Sequence, residues 1–266
     1  ERAHRQYPDA PDPLVALVQL DLQRGKLANA KRRLENLLAN RPDHPYAGGL
    51  LGEIALLERD LAGAERRFVE ATKQKPQWVQ PWLHLANLKL AQKKREEAWE
   101  LLEQGLAANP RSEDLRMVLA SSLMEAGHID RAIAEYETVL QYNPRSLLAA
   151  NNLASLLVDH KGDEKSLKRA LELSQDFETL APNPFFLDTL GWVHLKMGNS
   201  GQALHFIQQA AAKAPDHPVV NYHLGMAYYK TGKMAEAKTH LQKAVASPTP
   251  FPGLDEAKAV LAQLQG

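Results

Sequence analysis

Cysteine is absent from this 266-residue sequence. The absence excludes disulfide bonds and thiolate metal sites, but it leaves the cellular compartment open, because exported and cytosolic proteins can both lack cysteine. An apolar run long enough to cross a membrane, about 18 residues, is also absent. We therefore expect no membrane-inserted segment.

An excess of either charge sign is missing as well. Lys and Arg together number 32, and Asp and Glu together number 32, so the formal net charge is zero. A protein that binds nucleic acid needs a basic surface that displaces counterions from phosphate groups. The composition therefore argues against a nucleic-acid partner. Hydrophobic residues make up 44% of the chain, which is enough apolar material to fold.

What the sequence does contain is a repeat with a period of 34 residues. Prolines mark the period at Pro8, Pro42, Pro76, Pro110 and Pro144. A second series pairs an alanine with a large residue four positions later: Ala30 with Leu34, Ala64 with Phe68, Ala98 with Leu102, and Ala132 with Tyr136. A fixed period of this length is typical of stacked helical repeats.

Each repeat unit is predicted to contain two helices. In the first helix apolar residues recur at spacings of three and four, as in Trp82, Leu85 and Leu88. Glycine favours the left-handed conformation that ends many helices, and the predicted turn glycines are Gly25, Gly127, Gly198 and Gly232. At the first position of a helix a missing N–H removes no hydrogen bond, and prolines predicted there are Pro11, Pro45, Pro184 and Pro218.

This pattern closely resembles the tetratricopeptide repeat (TPR). The seventh unit carries the motif most completely, with Leu224-Gly225, Tyr228, Gly232, Ala237, Leu241 and Ala244. The resemblance implies an all-α fold, a right-handed α-solenoid of stacked antiparallel helix pairs (a TPR superhelix) with a C-terminal capping helix. A single hairpin cannot bury its apolar surface, so each pair is expected to stack on its neighbours.

The phase of the repeat assigns seven units and two flanking segments. The predicted units are 11–44, 45–78, 79–112, 113–146, 147–183, 184–217 and 218–251. Residues 1–8 fit the tail of a truncated upstream repeat, and residue 1 is not Met, so we expect a fragment of a longer protein. A Pro-rich stretch at 247–253 precedes a predicted amphipathic capping helix at 254–265.

The unit at 147–183 is irregular, with 37 residues instead of 34. Polar residues at 159–165 interrupt the pattern before Ala170. We expect the extra residues to lengthen either the loop between the two helices or the start of the second helix. A tolerated surface insertion, a local change in superhelical pitch and a partner-contacting loop are all compatible with the sequence.

Motifs of catalysis and metal binding are missing from the sequence. Its ten histidines are scattered, and no His-Glu-x-x-His motif occurs. Neither a Gly-rich phosphate-binding loop nor a Gly-x-Ser-x-Gly elbow is present. We therefore predict no enzyme active site, no metal and no cofactor in this chain. An enzymatic domain elsewhere in a longer protein is a separate question.

The family resemblance implies a binding groove lined by the first helix of each unit. Positions 2, 5, 9 and 12 of these helices are expected to face it, with positions 6 and 13 at its edges. The groups there are apolar, aromatic, amide and hydroxyl with little charge, which suits an extended peptide or a partner helix. The residues predicted to line the groove are Asn87, Met117, Ser121, Asn151, Asn152, Ser155, Asp188, Trp192, Tyr222, Met226 and Tyr229.

The densest apolar group on this predicted surface consists of Trp192, Tyr222, Met226 and Tyr229. Buried aromatic side chains dominate the energies of many interfaces, so we predict a hydrophobic hot spot for a partner here. The alternative is that Trp192 and Tyr229 pack between neighbouring repeats or against the terminal helix.

The adjacent amides of Asn151 and Asn152 are a second notable feature of the groove positions. They lie in the middle of a predicted helix, where only a polar face accommodates them, and just before the break in the 34-residue count. They either pair with the main chain of a bound peptide or are solvated.

The sequence predicts a non-catalytic interaction scaffold that binds protein or peptide partners and assembles a multi-protein complex. A regulatory or targeting domain of a larger enzyme and a self-assembling scaffold that forms homo-oligomers are the alternatives. Segments 151–154 and 187–192 are similar to those of bacterial TPR proteins of cell-envelope assembly, including exopolysaccharide export. That likeness favours a bacterial source and a periplasmic or cell-envelope location over a cytoplasmic one.

Overall fold

The computed structural model describes residues 11–44, 46–180 and 182–264. Within these ranges every regular element is a helix, and no strand is present. The all-α fold predicted from the sequence is therefore confirmed. The chain divides into two compact units, unit 1 up to Ala126 and unit 2 from Gly127 onwards. The tail predicted at 1–8 lies outside the described residues.

Unit 1 consists of helices joined by short turns. They are α1 (Pro11–Gln23), α2 (Leu27–Asn40), α3 (Ala47–Leu57), α4 (Leu61–Gln74), α5 (Val79–Ala91), α6 (Arg95–Ala108) and α7 (Glu113–Glu125). Each helix packs against the next, and α5 also contacts α7. Unit 1 is therefore a series of helical hairpins stacked in sequence order.

Unit 2 continues the same pattern with one irregular hairpin. Its helices are α8 (Ile129–Tyr142), α9 (Leu147–His160), α10 (Glu164–Ser174), α11 (Phe177–Leu180), α12 (Pro184–Lys196), α13 (Ser200–Lys213), α14 (Pro218–Lys230), α15 (Met234–Val245) and α16 (Leu254–Gln263). The last helix, α16, packs against α14 and α15, which is the place expected for a capping helix.

The core of each hairpin lies where its two helices approach most closely. The alanines that mark the second helix are fully buried, and so are the large residues four positions later: Ala30 with Leu34, Ala64 with Phe68, Ala98 with Leu102, and Ala132 with Tyr136. A Cβ atom added to Gly191 would lie 2.4 Å from Ile207 Cγ1, and one added to Gly225 would lie 2.7 Å from Leu241 Cγ. At these two positions the close approach of the helices requires glycine.

One residue in each hairpin turn adopts a positive φ angle. Gly25, Gly198 and Gly232 do so as predicted, with φ of 66°, 84° and 78°. Arg59 and Lys93 take the same place in two turns of unit 1, each with a φ of 62°. This conformation costs an L-residue about 1–2 kcal/mol. The turn geometry is therefore kept at these two sites without glycine.

The helix starts use side-chain caps and prolines. Ser146 Oγ accepts the Ala149 backbone N–H in the first turn of α9 at 3.4 Å. Pro184 and Pro218 occupy the first positions of α12 and α14, as predicted. Pro45 lies outside the described residues, and the helix that follows it, α3, begins at Ala47.

The 37-residue repeat at 147–183 differs from the others in the length of its helices and not in the length of its turn. Ala170 follows Ala154 by 16 residues, whereas Ala203 follows Gly191 by 12. The turn before α10 spans only 161–163, as short as the turn between α12 and α13. Relative to these small residues, α10 begins three residues earlier than α13, and α9 ends one residue later than α12. The extra residues therefore extend mainly the start of the second helix.

Candidate functional site

One side of the first helices forms a continuous surface in unit 2. Helix α9 packs against α12, and α12 packs against α14. Residues three or four apart on a helix share one side, so the predicted groove residues and their helical neighbours form three rows. We call this surface the first-helix face. Its rows are Leu148, Asn151, Ser155 and Asp159 on α9; Phe185, Asp188, Trp192 and Lys196 on α12; and Val219, Tyr222, Met226 and Lys230 on α14.

The accessible part of the first-helix face comprises α9, the start of α12, and the exposed Lys196 and Lys230 that end the α12 and α14 rows. Leu148 and Phe185 are 55% and 46% exposed, and they occupy equivalent positions of successive units. Asn151 and Ser155 are half-buried, and Asp159 is exposed. This part of the face therefore presents an apolar end, a polar middle and an end that carries both Asp159 and the two lysines.

The aromatic part of the face is closed. Trp192, Tyr222 and Met226 are only 3%, 2% and 4% exposed. The Trp192 ring stacks on His223 with centroids 4.0 Å apart, and its Nε1 donates to Asp159 Oδ1 at 2.8 Å. The structure thus corrects the prediction of an open hydrophobic hot spot, because these side chains pack between neighbouring helices, which was the stated alternative.

The two tyrosines of α14 contact the terminal helix. The Tyr222 hydroxyl donates to Glu256 Oε2 at 2.5 Å, and the Tyr229 hydroxyl donates to Gln263 Oε1 at 3.1 Å. The pKa of the Tyr222 hydroxyl lies far above its usual range. Burial of the side chain is the larger cause, and the hydrogen bond to the Glu256 carboxylate is the second. Tyr229 keeps some exposed surface. Helix α16 therefore engages the residues predicted to hold a partner.

The amides of Asn151 and Asn152 are held by hydrogen bonds within unit 2. Asn152 Nδ2 donates to the Tyr136 hydroxyl at 3.3 Å, and Asn151 Nδ2 donates to Asn152 Oδ1 at 3.4 Å. Asn151 Oδ1 is buried and has no hydrogen-bond partner among the described residues. The pair is therefore positioned by its neighbours and retains one acceptor that is not used.

Asp188 was predicted to line the groove, but it is buried, with 5% of its surface exposed. Its Oδ2 atom lies 2.8 Å from His223 Nδ1 on the neighbouring helix α14. Its Oδ1 atom is buried without a hydrogen-bond partner among the described residues. Because a buried polar atom normally has a partner, the Oδ1 atoms of Asp188 and Asn151 are hydrogen-bonding groups that the described part of the chain does not use.

Asp159 is a residue of this face that the sequence analysis did not name as a site residue, although it holds position 13 of its repeat, at the predicted edge of the groove. It was assigned to the polar insertion, whereas it lies on the last turn of α9. Its Oδ2 atom accepts the Ser155 hydroxyl at 3.2 Å, while its Oδ1 atom accepts the Trp192 N–H. Its spacing could have revealed it, since it follows Ser155 by four residues and precedes Trp192 by 33.

The remaining predicted residues belong to unit 1. Asn87 is exposed on α5, and Met117 and Ser121 are half-buried on α7. The two helices contact each other. None of these three side chains has a large exposed apolar surface like those of Leu148 and Phe185, so the stronger candidate surface is the one in unit 2.

Among the residues that the structure describes, no cluster of three or more His, Asp or Glu side chains could hold a metal ion. Over the same ranges, no helix combines the length and the apolar character needed to cross a membrane. The polar side chains of the first-helix face can donate and accept hydrogen bonds, so they are suited to holding a ligand.

Two protein-family descriptions match the sequence, and both are of the tetratricopeptide repeat. One matches residues 55–122 and 194–264, which together make up more than half of the chain. The other matches residues 15–77 and 117–176.

Two curated relatives are longer proteins. A TPR repeat-containing protein of Pseudomonas aeruginosa is 28% identical over 169 residues, which cover 61% of this chain and 27% of that protein. The cellulose synthase 1 operon protein C of Komagataeibacter xylinus is 27% identical over 243 residues, which cover 85% of this chain and 18% of that protein. This chain thus spans about a quarter or less of the length of these relatives.

Similar solved structures agree on the fold. The crystal structure of the APC/C hetero-tetramer Cut9–Hcn1 aligns with a TM-score of 0.68 and 16% identity, covering 99% of this chain and 51% of that one. At this level of identity the likeness concerns the fold alone, an all-α solenoid of helical repeats.

Proposed function

Because the chain belongs to the tetratricopeptide repeat family, we propose that it is a non-catalytic scaffold whose first-helix face in unit 2 binds a peptide segment of a partner protein. TPR arrays in general serve protein–protein interaction. The proposal locates the binding surface on α9 and the start of α12, where Leu148, Asn151, Ser155 and Phe185 are accessible.

The observation that carries the proposal is the pair of exposed apolar side chains beside half-buried polar side chains on the first-helix face. Leu148 and Phe185 each leave about half of a large apolar surface in water, and they lie on two helices that pack together. Exposed apolar groups that adjoin polar ones are typical of interaction surfaces. Asn151 and Ser155, which are half-buried on the same side of α9 as Leu148, supply polar groups that can hydrogen-bond a peptide.

The test is a selection of peptides on the complete 266-residue chain. A phage-displayed library of random 12-residue peptides is selected on the immobilised chain, and recovered peptides are synthesised and titrated by fluorescence anisotropy. Leu148→Glu places a charge in the apolar part of the face, so the dissociation constant should rise about tenfold or more.

Leu61→Glu is the matched control. Leu61 is 51% exposed and lies in the first turn of α4 in unit 1, just as Leu148 lies in the first turn of α9. The control should bind within about twofold of the wild type, since a surface change away from the site has little effect. Failure to recover any binding peptide, or equal affinities for the two variants, would overturn the proposal.

A second candidate function follows from the lengths of the relatives. Since the chain spans only 27% and 18% of them, the array is proposed to be the interaction part of a longer bacterial protein, and the likeness to the cellulose synthase operon protein supports a role in cell-envelope assembly. Immunoblotting of fractionated source cells tests this. A product well above 29.6 kDa in the envelope fraction is expected, and a 29.6 kDa product in the cytosol would contradict it.

Self-assembly is the remaining alternative, and it predicts a different observable. Static light scattering of the purified chain over a hundredfold range of concentration separates a monomer from a homo-oligomer. A mass that stays at 29.6 kDa would eliminate self-assembly and leave the peptide-binding function in place.

A further inference from the structure

A second surface of unit 2 is an apolar groove between the second helices α8 and α10. The groove has a volume of about 670 Å³, and seven of its eleven lining residues are apolar. The large ones are Leu140 of α8, Leu147 of α9, Leu173 of α10, and Phe177 and Leu180 of α11. Residues of the three rows of the first-helix face do not line it, so the groove is a separate surface. We call it the second-helix groove.

The second-helix groove has a closed floor and an open wall. Phe177 is fully buried and Leu140 is 9% exposed, whereas Leu180 leaves 63% of its surface in water. Exposed apolar surface that continues into a concave apolar site is typical of places where another molecule binds. The groove therefore has the form of a site for an apolar side chain from outside.

A cleft between the second helices α2 and α4 of unit 1 has a different character. Seven of its ten lining residues are charged, and Lys31 Nζ in it lies 2.7 Å from a carboxylate oxygen of Glu58. Stacking of hairpins therefore does not by itself produce an apolar groove on this side of the chain.

The apolar lining arises from the irregular repeat. Helix α10 ends at Ser174 after 11 residues, whereas α8 and α13 each continue for 14. The buried Ser174 hydroxyl donates to the Ala170 carbonyl oxygen at 2.7 Å, a hydrogen bond that often bends a helix. The chain turns there, and α11 begins at Phe177. The break thus brings Phe177 and Leu180 to the groove beside Leu173.

The rim of the groove carries one cation and one anion that are not paired. Arg145 lies in the turn before α9 and Asp176 in the turn after α10, and both are exposed. Among the described residues, neither has a group of opposite charge within 4.0 Å, whereas the lining residue Arg169 pairs with Glu137 and Glu172 at 3.1 and 3.3 Å. The groove therefore offers both charge signs beside an apolar floor.

A helix fits this groove better than an extended peptide does. An extended peptide would place its backbone N–H and C=O groups against apolar walls, where unpaired polar groups cost free energy. A helix satisfies these groups internally, and its side-chain ridges pack into the space between two other helices.

We propose that the second-helix groove binds an amphipathic helix of a partner protein. The apolar stripe of that helix packs on Leu173, Phe177 and Leu180, which follow one another at spacings of four and three residues. The stripe covers about two helical turns, or about 11 Å. Its flanks carry a carboxylate that pairs with Arg145 and a basic group that pairs with Asp176.

The test is a selection of helical peptides on the complete chain. A phage-displayed library of 18-residue Ala-based helices, randomised along one side, is selected on the immobilised chain, and recovered peptides are titrated by fluorescence anisotropy. Leu180→Glu places a charge in the open wall of the groove, so the dissociation constant should rise about tenfold or more.

Met234→Glu is the matched control for this variant. Met234 is 47% exposed at the start of α15 and does not line the groove. The control should bind within about twofold of the wild type. Both substitutions change exposed side chains, so both variants should keep the stability of the wild type, which thermal unfolding by circular dichroism checks.

A charge exchange tests the pairing at the rim. Arg145→Glu should weaken binding about fivefold, and exchange of the matching glutamate of the peptide for arginine should restore it. Lys165→Glu makes the same change of net charge at an exposed site of α10 that does not line the groove, and it should leave the affinity within about twofold.

The outcomes are distinct from those for the first-helix face. Leu148 does not line the groove, so Leu148→Glu should leave helix binding within about twofold. If no helical peptide is recovered, or if Leu180→Glu binds like Met234→Glu, the groove is refuted as a binding site and the first-helix face is unaffected. If no exchange of charge restores binding to Arg145→Glu, the pairing at the rim is refuted. A solution mass of twice 29.6 kDa that Leu180→Glu returns to the monomer value would assign the groove to a second copy of this chain and overturn the partner helix.

Discussion

The glycine at the centre of the α12–α13 hairpin provides the sharpest test of how this fold is held together. The perturbation is Gly191→Ala, which adds a single methyl group inside α12. In an exposed helix the same change raises stability by about 0.5–1 kcal/mol, because alanine loses less backbone entropy on folding. At position 191 we expect the opposite sign.

The magnitude follows from the contacts of the added Cβ atom. It would lie 2.4 Å from Ile207 Cγ1 and 3.1 Å from the Ala203 carbonyl oxygen and the Ile207 amide nitrogen. The Ile207 side chain is fully buried, so it has no solvent to move into, and the backbone atoms move only with α13. Overpacking of this type costs about 1–3 kcal/mol. After subtraction of the helix-propensity gain, we expect a net loss of about 1–2 kcal/mol.

Urea unfolding followed by circular dichroism measures this loss in the complete chain. Gly201→Ala is the matched control, because Gly201 lies in the first turn of α13 with open space around it, and it should unfold at an equal or higher urea concentration than the wild type. In an Ile207→Ala background the cost of Gly191→Ala should shrink by about 1 kcal/mol or more. If Gly191→Ala stabilises the chain as Gly201→Ala does, the close-packing argument is refuted.

Three further predictions concern the turns, the terminal helix and a histidine. Arg59→Gly and Lys93→Gly should each stabilise unit 1 by about 0.5–1 kcal/mol, since relief of the positive φ outweighs the entropy of glycine; a lower urea midpoint would contradict this. Tyr222→Phe removes the hydrogen bond to Glu256 and should cost about 1–2 kcal/mol, visible as faster amide hydrogen exchange in α16, whereas unchanged exchange would deny its role in docking. Burial lowers the pKa of His194 below its ordinary value of 6.5. The unfolded chain therefore binds more protons near that pH, and the stability of the fold decreases as the pH falls through 6.5. His194→Gln should make the urea midpoint depend less on pH in this range, and an unchanged pH dependence would refute the assignment.

The helical pairs could be predicted because the residues that form the contact between the two helices lie within one 34-residue repeat. Ala30 and Leu34 mark a hairpin contact through their spacing alone, and both are fully buried. The irregular unit was predicted less completely. Its count of 37 residues revealed an insertion, but whether a longer turn or an earlier helix start absorbs it depends on the cap at Asp163, whose side chain accepts the Ser166 N–H and begins α10.

The candidate site was predicted only in part, because it depends on contacts between neighbouring repeats within unit 2. Helical periodicity places Trp192 and Tyr222 on the first-helix face, but the stacking of Trp192 on His223 and the hydrogen bond from Tyr222 to Glu256 close that part of it. Both contacts join residues about one repeat apart. For the same reason Asp159 was missed, since its importance comes from Trp192 on the next first helix.

Hydrogen bonds between successive repeats of unit 2 also distinguish the correct neighbour of a hairpin from the other hairpins. Trp192 with Asp159, His223 with Asp188, and Tyr222 with Glu256 join residues 33–35 positions apart. The counterpart of Asp159 on α12 is Lys196, and the counterpart of Asp188 on α14 is Tyr222. A hairpin stacked on the wrong neighbour would bury these groups without partners, at about 1–3 kcal/mol each. These hydrogen bonds thus favour the native order of otherwise similar apolar hairpins. An engineered array with shuffled repeats would lose these bonds and with them the preference for one order.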